Sequence, residues 1–342
     1  MPSQITRKPA NLLGAAAALL GTAVTAAPAA WILYSKLAID HNVPLPEAVP
    51  ATRQQFHSQT AGTVSYYVAN AAAAERPLLL IHSVNAAASA YEMRPLFEHF
   101  RGSRPVYAID LPGFGFSERK PARVAPQVFE DAIVDLVARE IGRPVDAVAL
   151  SLGGEFLARA ALANPRWFHS IAIISPTGFN AQGEGRPTQR ANASNTSSLF
   201  YNLFSFPLWA RPLFDLIASR RGLRFFLEKS FVGPVPQGLI DYDYATAHQP
   251  HAEYVPLHFI SGLLFTRNVR HIVYENVHVP ALAIYDEDFY SNFDTLPELA
   301  AAKANWHAVR LQPTRGLPQF EKLPELANIL ETFWQQTPDA GA

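Results

Sequence analysis

The stretch VDAVALSLGG, Val145 to Gly154, holds the decisive pattern. The first six residues, apolar but for Asp146, read as a strand. Leu152 to Pro165, LGGEFLARAALANP, read as a helix. Ser151 stands between the two with no room for a loop. A strand that enters a helix through one residue needs a sharp turn with strained backbone angles. It needs small side chains two positions before and after, here Ala149 and Gly153. A serine so placed presents its hydroxyl to the free N–H groups and positive dipole end of the helix. A serine that merely caps a helix gives the same letters, so the pattern needs support from its neighbours.

Working outward, apolar runs alternate with amphipathic ones. TVSYYVA, PLLLIHS, PVYAID, VDAVALS and SIAIIS read as strands, and helices follow at AYEMRPLFEHFRG, VFEDAIVDLVAREIG and LGGEFLARAALANP. Farther on come the strands PALAIYD and HAVRLQP and the helices FDTLPELAAAKA and LPELANILETFW. This alternation predicts an α/β domain with a doubly wound, mostly parallel sheet. It breaks between about residues 180 and 278, where aromatic and proline-rich helical patterns replace strands. That part reads as a helical cap over the carboxyl edge of the sheet, where open α/β sheets hold ligands. The expected organisation is an N-terminal segment at 1–40, a Pro-rich spacer at 41–61, a core at 62–179 and 279–336, and the cap at 180–278.

Two further motifs flank the serine. His82-Ser83 closes the strand LLLI and opens a loop of small residues. Asp110, Pro112, Gly113, Gly115 and Ser117 follow the strand VYAID. In the order H-G-x-x, D-x-x-G-x-G-x-S and G-x-S-x-G, the chain resembles the α/β-hydrolase family from about Gly62 to Trp334. The resemblance implies Ser151 as nucleophile. It implies an oxyanion hole from the Leu152 N–H and an N–H on Ser83 or Val84. Ser83 replaces the family's usual glycine, and its hydroxyl would be a further donor. His82 is normally structural in such proteins. The acid is expected after PALAIYDED at Asp288, with Asp286 as the other candidate, in the order Ser, Asp, His.

The third member of that set is missing. Where the family writes G-H-x-P-H-x-E, this chain has Arg315-Gly316-Leu317-Pro318-Gln319-Phe320-Glu321. Gly316 occupies the place of the base and Gln319 that of the second histidine. A serine hydroxyl is a weak nucleophile until a base takes its proton. Losing the histidine of a serine triad costs about 10⁶ in turnover, and an oxyanion hole alone leaves about 10³–10⁴ over water. Three readings follow. A substitute base reaches Ser151 from His248, His251 or His258 in the cap, or from His307 at the last strand. Or the site binds an apolar ligand, lipid-like in character, without hydrolysing it. Or it catalyses an addition or elimination with Arg315 as a charged partner.

Composition narrows the partners. Net charge is −1, with 17% charged and 49% hydrophobic residues. No basic field offers itself to nucleic acid. The absence of cysteine removes disulfides and zinc–thiolate sites, and no pattern asks for a metal or cofactor. Ala10 to Tyr34 is free of charge; as a helix it would reach roughly 37 Å, beyond the roughly 30 Å hydrocarbon core. It is expected to be a single-pass anchor, with Arg7 and Lys8 inside, Trp31 and Tyr34 at the far interface and the main domain on the extracytoplasmic side. The small-residue sites VTA and APA leave open a cleaved signal peptide and a secreted or periplasmic protein.

Overall fold

The computed structural model describes residues 27–180 and 193–338. Eight strands form one sheet: β1 (Thr52–Ser58), β2 (Gly62–Ala69), β3 (Leu78–Ile81), β4 (Val106–Asp110), β5 (Val145–Leu150), β6 (Phe168–Ile174), β7 (Ala281–Tyr285) and β8 (Trp306–Arg310). Their order is β1-β2-β4-β3-β5-β6-β7-β8. β1 pairs antiparallel with β2 and β2 with β4, and all other pairs are parallel.

The central strands are buried on both faces, which is why they read as unbroken apolar runs. Neighbouring residues of one strand serve opposite cores. Leu79, Ile81, Ala147, Ala149 and Ile173 point to the side of α3 (Pro126–Asp135) and α4 (Leu152–Ala163). There Phe129 and Phe156 stack with centroids 4.4 Å apart. Leu78, Leu80, Val148, Leu150 and Ile174 point the other way. They meet Phe97 of α2 (Arg94–Phe100) and Leu330 of α13 (Leu323–Gln336). α11 (Leu296–Ala302) and the single turn α12 (Pro318–Glu321) complete the second half of the core.

Between β6 and β7 the described residues form helices and no strand: α5 (Ala193–Phe204), α6 (Ala210–Ile217), α7 (Arg220–Leu227), α8 (Gln237–Ala247), α9 (Tyr254–Ile260) and α10 (Val269–Ile272). α8 ties this cap to the core through Tyr242, stacked on Tyr91 of the helical turn after β3 with centroids 4.6 Å apart.

Two expectations need correction or restriction. The stretch read as a spacer contains β1, which pairs with β2 over its whole length. TRQQFHS has Phe56 as its one large apolar residue, as suits an edge strand that leans on its neighbour. The expected anchor lies mostly outside the described residues. Its end belongs to a helix at residues 27–38, α1. α1 docks on α6: the Trp31 indole N–H donates to the Pro212 carbonyl at 2.8 Å and Ser35 Oγ to Asp215 at 2.6 Å. Among the described residues no helix is long and apolar enough to cross a membrane.

Candidate active site

Ser151, the loop after β3, the turn after β7 and the segment after β8 all lie at carboxyl ends of parallel strands, so the sheet gathers them at one edge. Ser151 has φ 51° and ψ −123°. A non-glycine residue held there stores about 1–3 kcal/mol of strain. The turn is enforced by the Ser151 N–H donating to the Ile174 carbonyl at 2.8 Å and by the Gly154 N–H donating to Ser151 O at 2.9 Å. Gly153 is required for a reason beyond the turn itself. A Cβ there would stand 2.3 Å from the His82 carbonyl oxygen. The β3 loop therefore packs directly against the elbow.

His82 builds that loop. Its Nε2 accepts the Leu111 N–H at 2.9 Å, which leaves Nδ1–H to donate to the Ser83 carbonyl at 2.5 Å. Burial pushes its pKa down to about 3, so the ring stays neutral. Ser83 is held from the other side by Glu92. Its N–H donates to Glu92 Oε2 at 2.8 Å and its hydroxyl to Oε1 at 2.9 Å, and Asn85 Nδ2 adds a third bond at 2.8 Å. Both donors of Ser83 are thus consumed, contrary to the expectation that Ser83 serves an oxyanion. The N–H groups of Leu152 and Val84 have no partner among the described residues, and they are the pair left for that role.

After β7 the two carboxylates divide. Asp286 accepts from Arg310 Nε and from the Thr314 N–H, both at 2.8 Å. Burial acts to raise its pKa, but these donors together hold it below the usual range. It braces the β8 segment and does not line the cavity described below. Asp288 accepts the Tyr290 N–H at 2.7 Å and a bond from the Ser175 hydroxyl. Burial raises its pKa to about 6. Gly316 lies beside it: a Cβ built on Gly316 would stand 3.3 Å from Asp288 Oδ2. Gly316 has φ +117°, a conformation that L side chains rarely adopt. Gln319 is fully buried behind the site and donates to the Glu92 carbonyl at 3.0 Å.

A cavity of about 420 Å³ opens onto these groups. Ser151, Val84, Asp288 and Gly316 all line it. Its walls are apolar, from Ile217 of α6, Leu223, Phe226 and Leu227 of α7, and Phe259 and Ile260 of α9. Among the described residues three carboxylates reach it, Glu92, Asp243 and Asp288, and no lysine, arginine or histidine does. Sequence reading missed Glu92 and Asp243; neither belongs to a local motif, and only the fold brings them to the serine.

All eleven histidines of the chain fall within the described residues, and the structure does not bring the four base candidates to the cavity. His248 is buried against Tyr244, centroids 3.9 Å apart, and its Nδ1 bonds the Tyr244 carbonyl. His258 does the same with the Tyr254 carbonyl and packs on Tyr201; its neighbours Phe259 and Ile260 line the cavity instead. His251 is exposed at a turn of positive φ, and His307 is exposed on β8 against Phe333. Arg315 points outward, 3.8 Å from Glu287. Among the described residues no cluster of three or more His, Asp or Glu could hold a metal ion.

Residues 78–323 match the model of a family described as "Alpha/beta hydrolase family". No curated protein matches the sequence. Among similar solved structures, a probable hydrolytic enzyme from Pseudomonas aeruginosa PAO1 has a TM-score of 0.64 at 17% identity, covering 85% of this chain and 96% of that one. A membrane phospholipase A described as a bacterial virulence factor has a TM-score of 0.64 at 17% identity, covering 96% and 97%. An enol-lactonase from Burkholderia xenovorans LB400 has a TM-score of 0.63 at 15% identity, covering 83% and 100%.

Proposed function

The chain belongs to the alpha/beta hydrolase family, and from that premise we propose that it is a membrane-associated member that captures a small apolar ligand beside Ser151 and does not run ordinary serine–histidine hydrolysis. One observation carries this reading: none of the eleven histidines lines the cavity that holds Ser151. Without an imidazole the serine loses about 10⁶ in turnover, and what the hole and binding provide is about 10³–10⁴ over water. The charges weigh the same way. Among the described residues three carboxyl groups and no cation line the cavity, so negative charge developing on a substrate oxygen would have only N–H dipoles to meet it. An addition or elimination assisted by Arg315 has no support, because that side chain stands outside the cavity.

A specific observation favours one second reading, slow hydrolysis with Asp288 as the base. Its pKa of about 6 suits proton transfer near neutral pH, and it shares the cavity with the serine. The two readings separate in one sample. A fluorescent medium-chain ester probe is titrated into the protein while its hydrolysis is followed. Saturable binding with turnover no more than about 10⁴ over the uncatalysed rate supports capture. Turnover with a pH limb near 6 that disappears in Asp288→Asn supports the carboxylate base.

Membrane association rests on the uncharged stretch from Ala10 to Tyr34. It also rests on exposed apolar side chains: Leu33 and Leu37 of α1, Leu199, Phe200 and Leu203 of α5, and Phe206 just beyond it. The similar structure that covers 96% of this chain is described as a membrane phospholipase, while the hydrolytic enzyme and the lactonase cover 85% and 83%. Arg7 and Lys8 before the uncharged stretch favour an orientation with the main domain on the extracytoplasmic side. Carbonate extraction of cells expressing the full chain tests this: retention in the membrane pellet is expected, and release into the supernatant contradicts it. N-terminal sequencing of the extracted protein separates an anchor from a cleaved leader.

A further inference from the structure

We propose that the polar end of the cavity is a cation subsite and that the ligand taken there is a small lipophilic amine, its ammonium seated between Asp243 and Glu92. The inference rests on the reading of the cavity as a binding site.

Asp243 carries the argument. It sits on α8 among buried residues, 5% exposed, and lines the cavity. Its Oδ1 is buried with no hydrogen-bond partner, and the side chain bonds to none of the described residues. Buried carboxylates are normally paired, because an unpartnered one forfeits its hydration for nothing. Asp243 faces an apolar space of about 420 Å³ that a ligand can fill.

Glu92 adds a second acceptor. Its two oxygens already take three bonds, all from neutral donors: the Ser83 N–H, the Ser83 hydroxyl and the Asn85 amide. Burial raises its pKa above the usual range, the three donors offset only part of that, and none of them is a counter-ion. Burial, with the Glu92 carboxyl beside it, raises the Asp243 pKa well above the usual range, so the empty cavity holds an uncharged Asp243 whose Oδ1 still lacks a donor. An ammonium has three donors and no acceptor, so it satisfies Asp243 and offsets Glu92 together. An alcohol offers one donor and no charge, and a fatty-acid carboxylate brings acceptors to a site that already holds three carboxyl groups. The alkyl part would lie along Leu223, Phe226 and Phe259. This ligand class differs from an ester in what it asks of the site, since it needs no oxyanion hole.

The test is isothermal titration calorimetry of the full-length protein in detergent at pH 8, with n-octylamine, octan-1-ol and octanoate. An alkylamine is charged at this pH, its pKa lying near that of lysine at about 10.4. Octylamine is expected to bind at least about 30-fold more tightly than octanol, and octanoate more weakly than either. In Asp243→Asn, octylamine should fall to the affinity of octanol, with octanol unchanged. The wild-type series stands alone if that variant does not fold. Equal affinity for amine and alcohol, or a preference for octanoate, overturns the cation subsite while leaving the cavity a binding site. Failure of all three to bind a folded protein removes the binding reading and this inference with it.

Discussion

Gly316→His puts an imidazole at the edge of the cavity that holds Ser151 and Asp288. A Cβ at this position stands 3.3 Å from Asp288 Oδ2, so a histidine ring there has the acid within reach. The backbone resists, because φ is +117°. Forcing a side chain into that region costs about 1–3 kcal/mol. For a chain of this size that is a fall in melting temperature of roughly 1–4 °C. The catalytic deficit to be recovered is about 10⁶, and a ring misplaced by about 1 Å gives back about 10² of it. Hydrolysis of p-nitrophenyl butyrate should therefore rise by about 10³-fold or more over the wild type, and the rise should vanish when Ser151→Ala is added. Calorimetry on the same samples reports the strain. The reasoning is refuted if the wild type already turns over the ester at an ordinary enzymatic rate of about 10 s⁻¹ and Gly316→His abolishes it. Ser151 would then draw on a base outside the cavity as described.

Other consequences can be measured separately. Millimolar imidazole should raise ester hydrolysis by the wild type, since Gly316, Ser151 and Asp288 line one cavity, and should not do so in Ser151→Ala. Asp288 has a folded pKa of about 6 against 3.8 unfolded. Between these values the native state holds more protons than the unfolded one, so stability falls as pH rises through 4 to 6. Asp288→Asn should gain about 1–2 kcal/mol relative to wild type above pH 7 and nothing below pH 4, by urea unfolding. Glu92→Ala leaves the Ser83 N–H and hydroxyl without acceptors and should cost about 1–3 kcal/mol, read as a lower urea midpoint at unchanged slope. Gly153→Ala drives a methyl into the His82 carbonyl and should cost at least about 1–3 kcal/mol, again by urea unfolding.

The sheet was legible because its strands are covered on both faces and so write continuous apolar runs, as VDAVAL does with all six residues buried. The elbow was legible because its steric demands fall on neighbours in sequence: Gly153 is small for a contact with His82 that the motif already encodes. Leu317-Pro318 set the register by which Gly316 was aligned, and the fold puts Gly316 beside Asp288. β1 escaped because an edge strand takes its hydrogen bonds from β2 and needs few apolar residues of its own. The cap histidines illustrate a different limit. His258 and Phe259 are adjacent, and which of them faces the cavity depends on how α9 is rotated, something local sequence does not state. Glu92 and Asp243 lie 151 residues apart in sequence and meet only because α8 folds back over the β3 loop.

The most direct measurement is labelling of the folded, full-length wild type with a fluorophosphonate probe, beside Ser151→Ala and a competent serine hydrolase as control. Fluorophosphonates report on a serine that a base has activated. The wild type is expected to remain unlabelled, like Ser151→Ala, under conditions that label the control to completion. Stoichiometric labelling of the wild type at the control's rate, lost in Ser151→Ala, would contradict the proposal that this serine lacks a base.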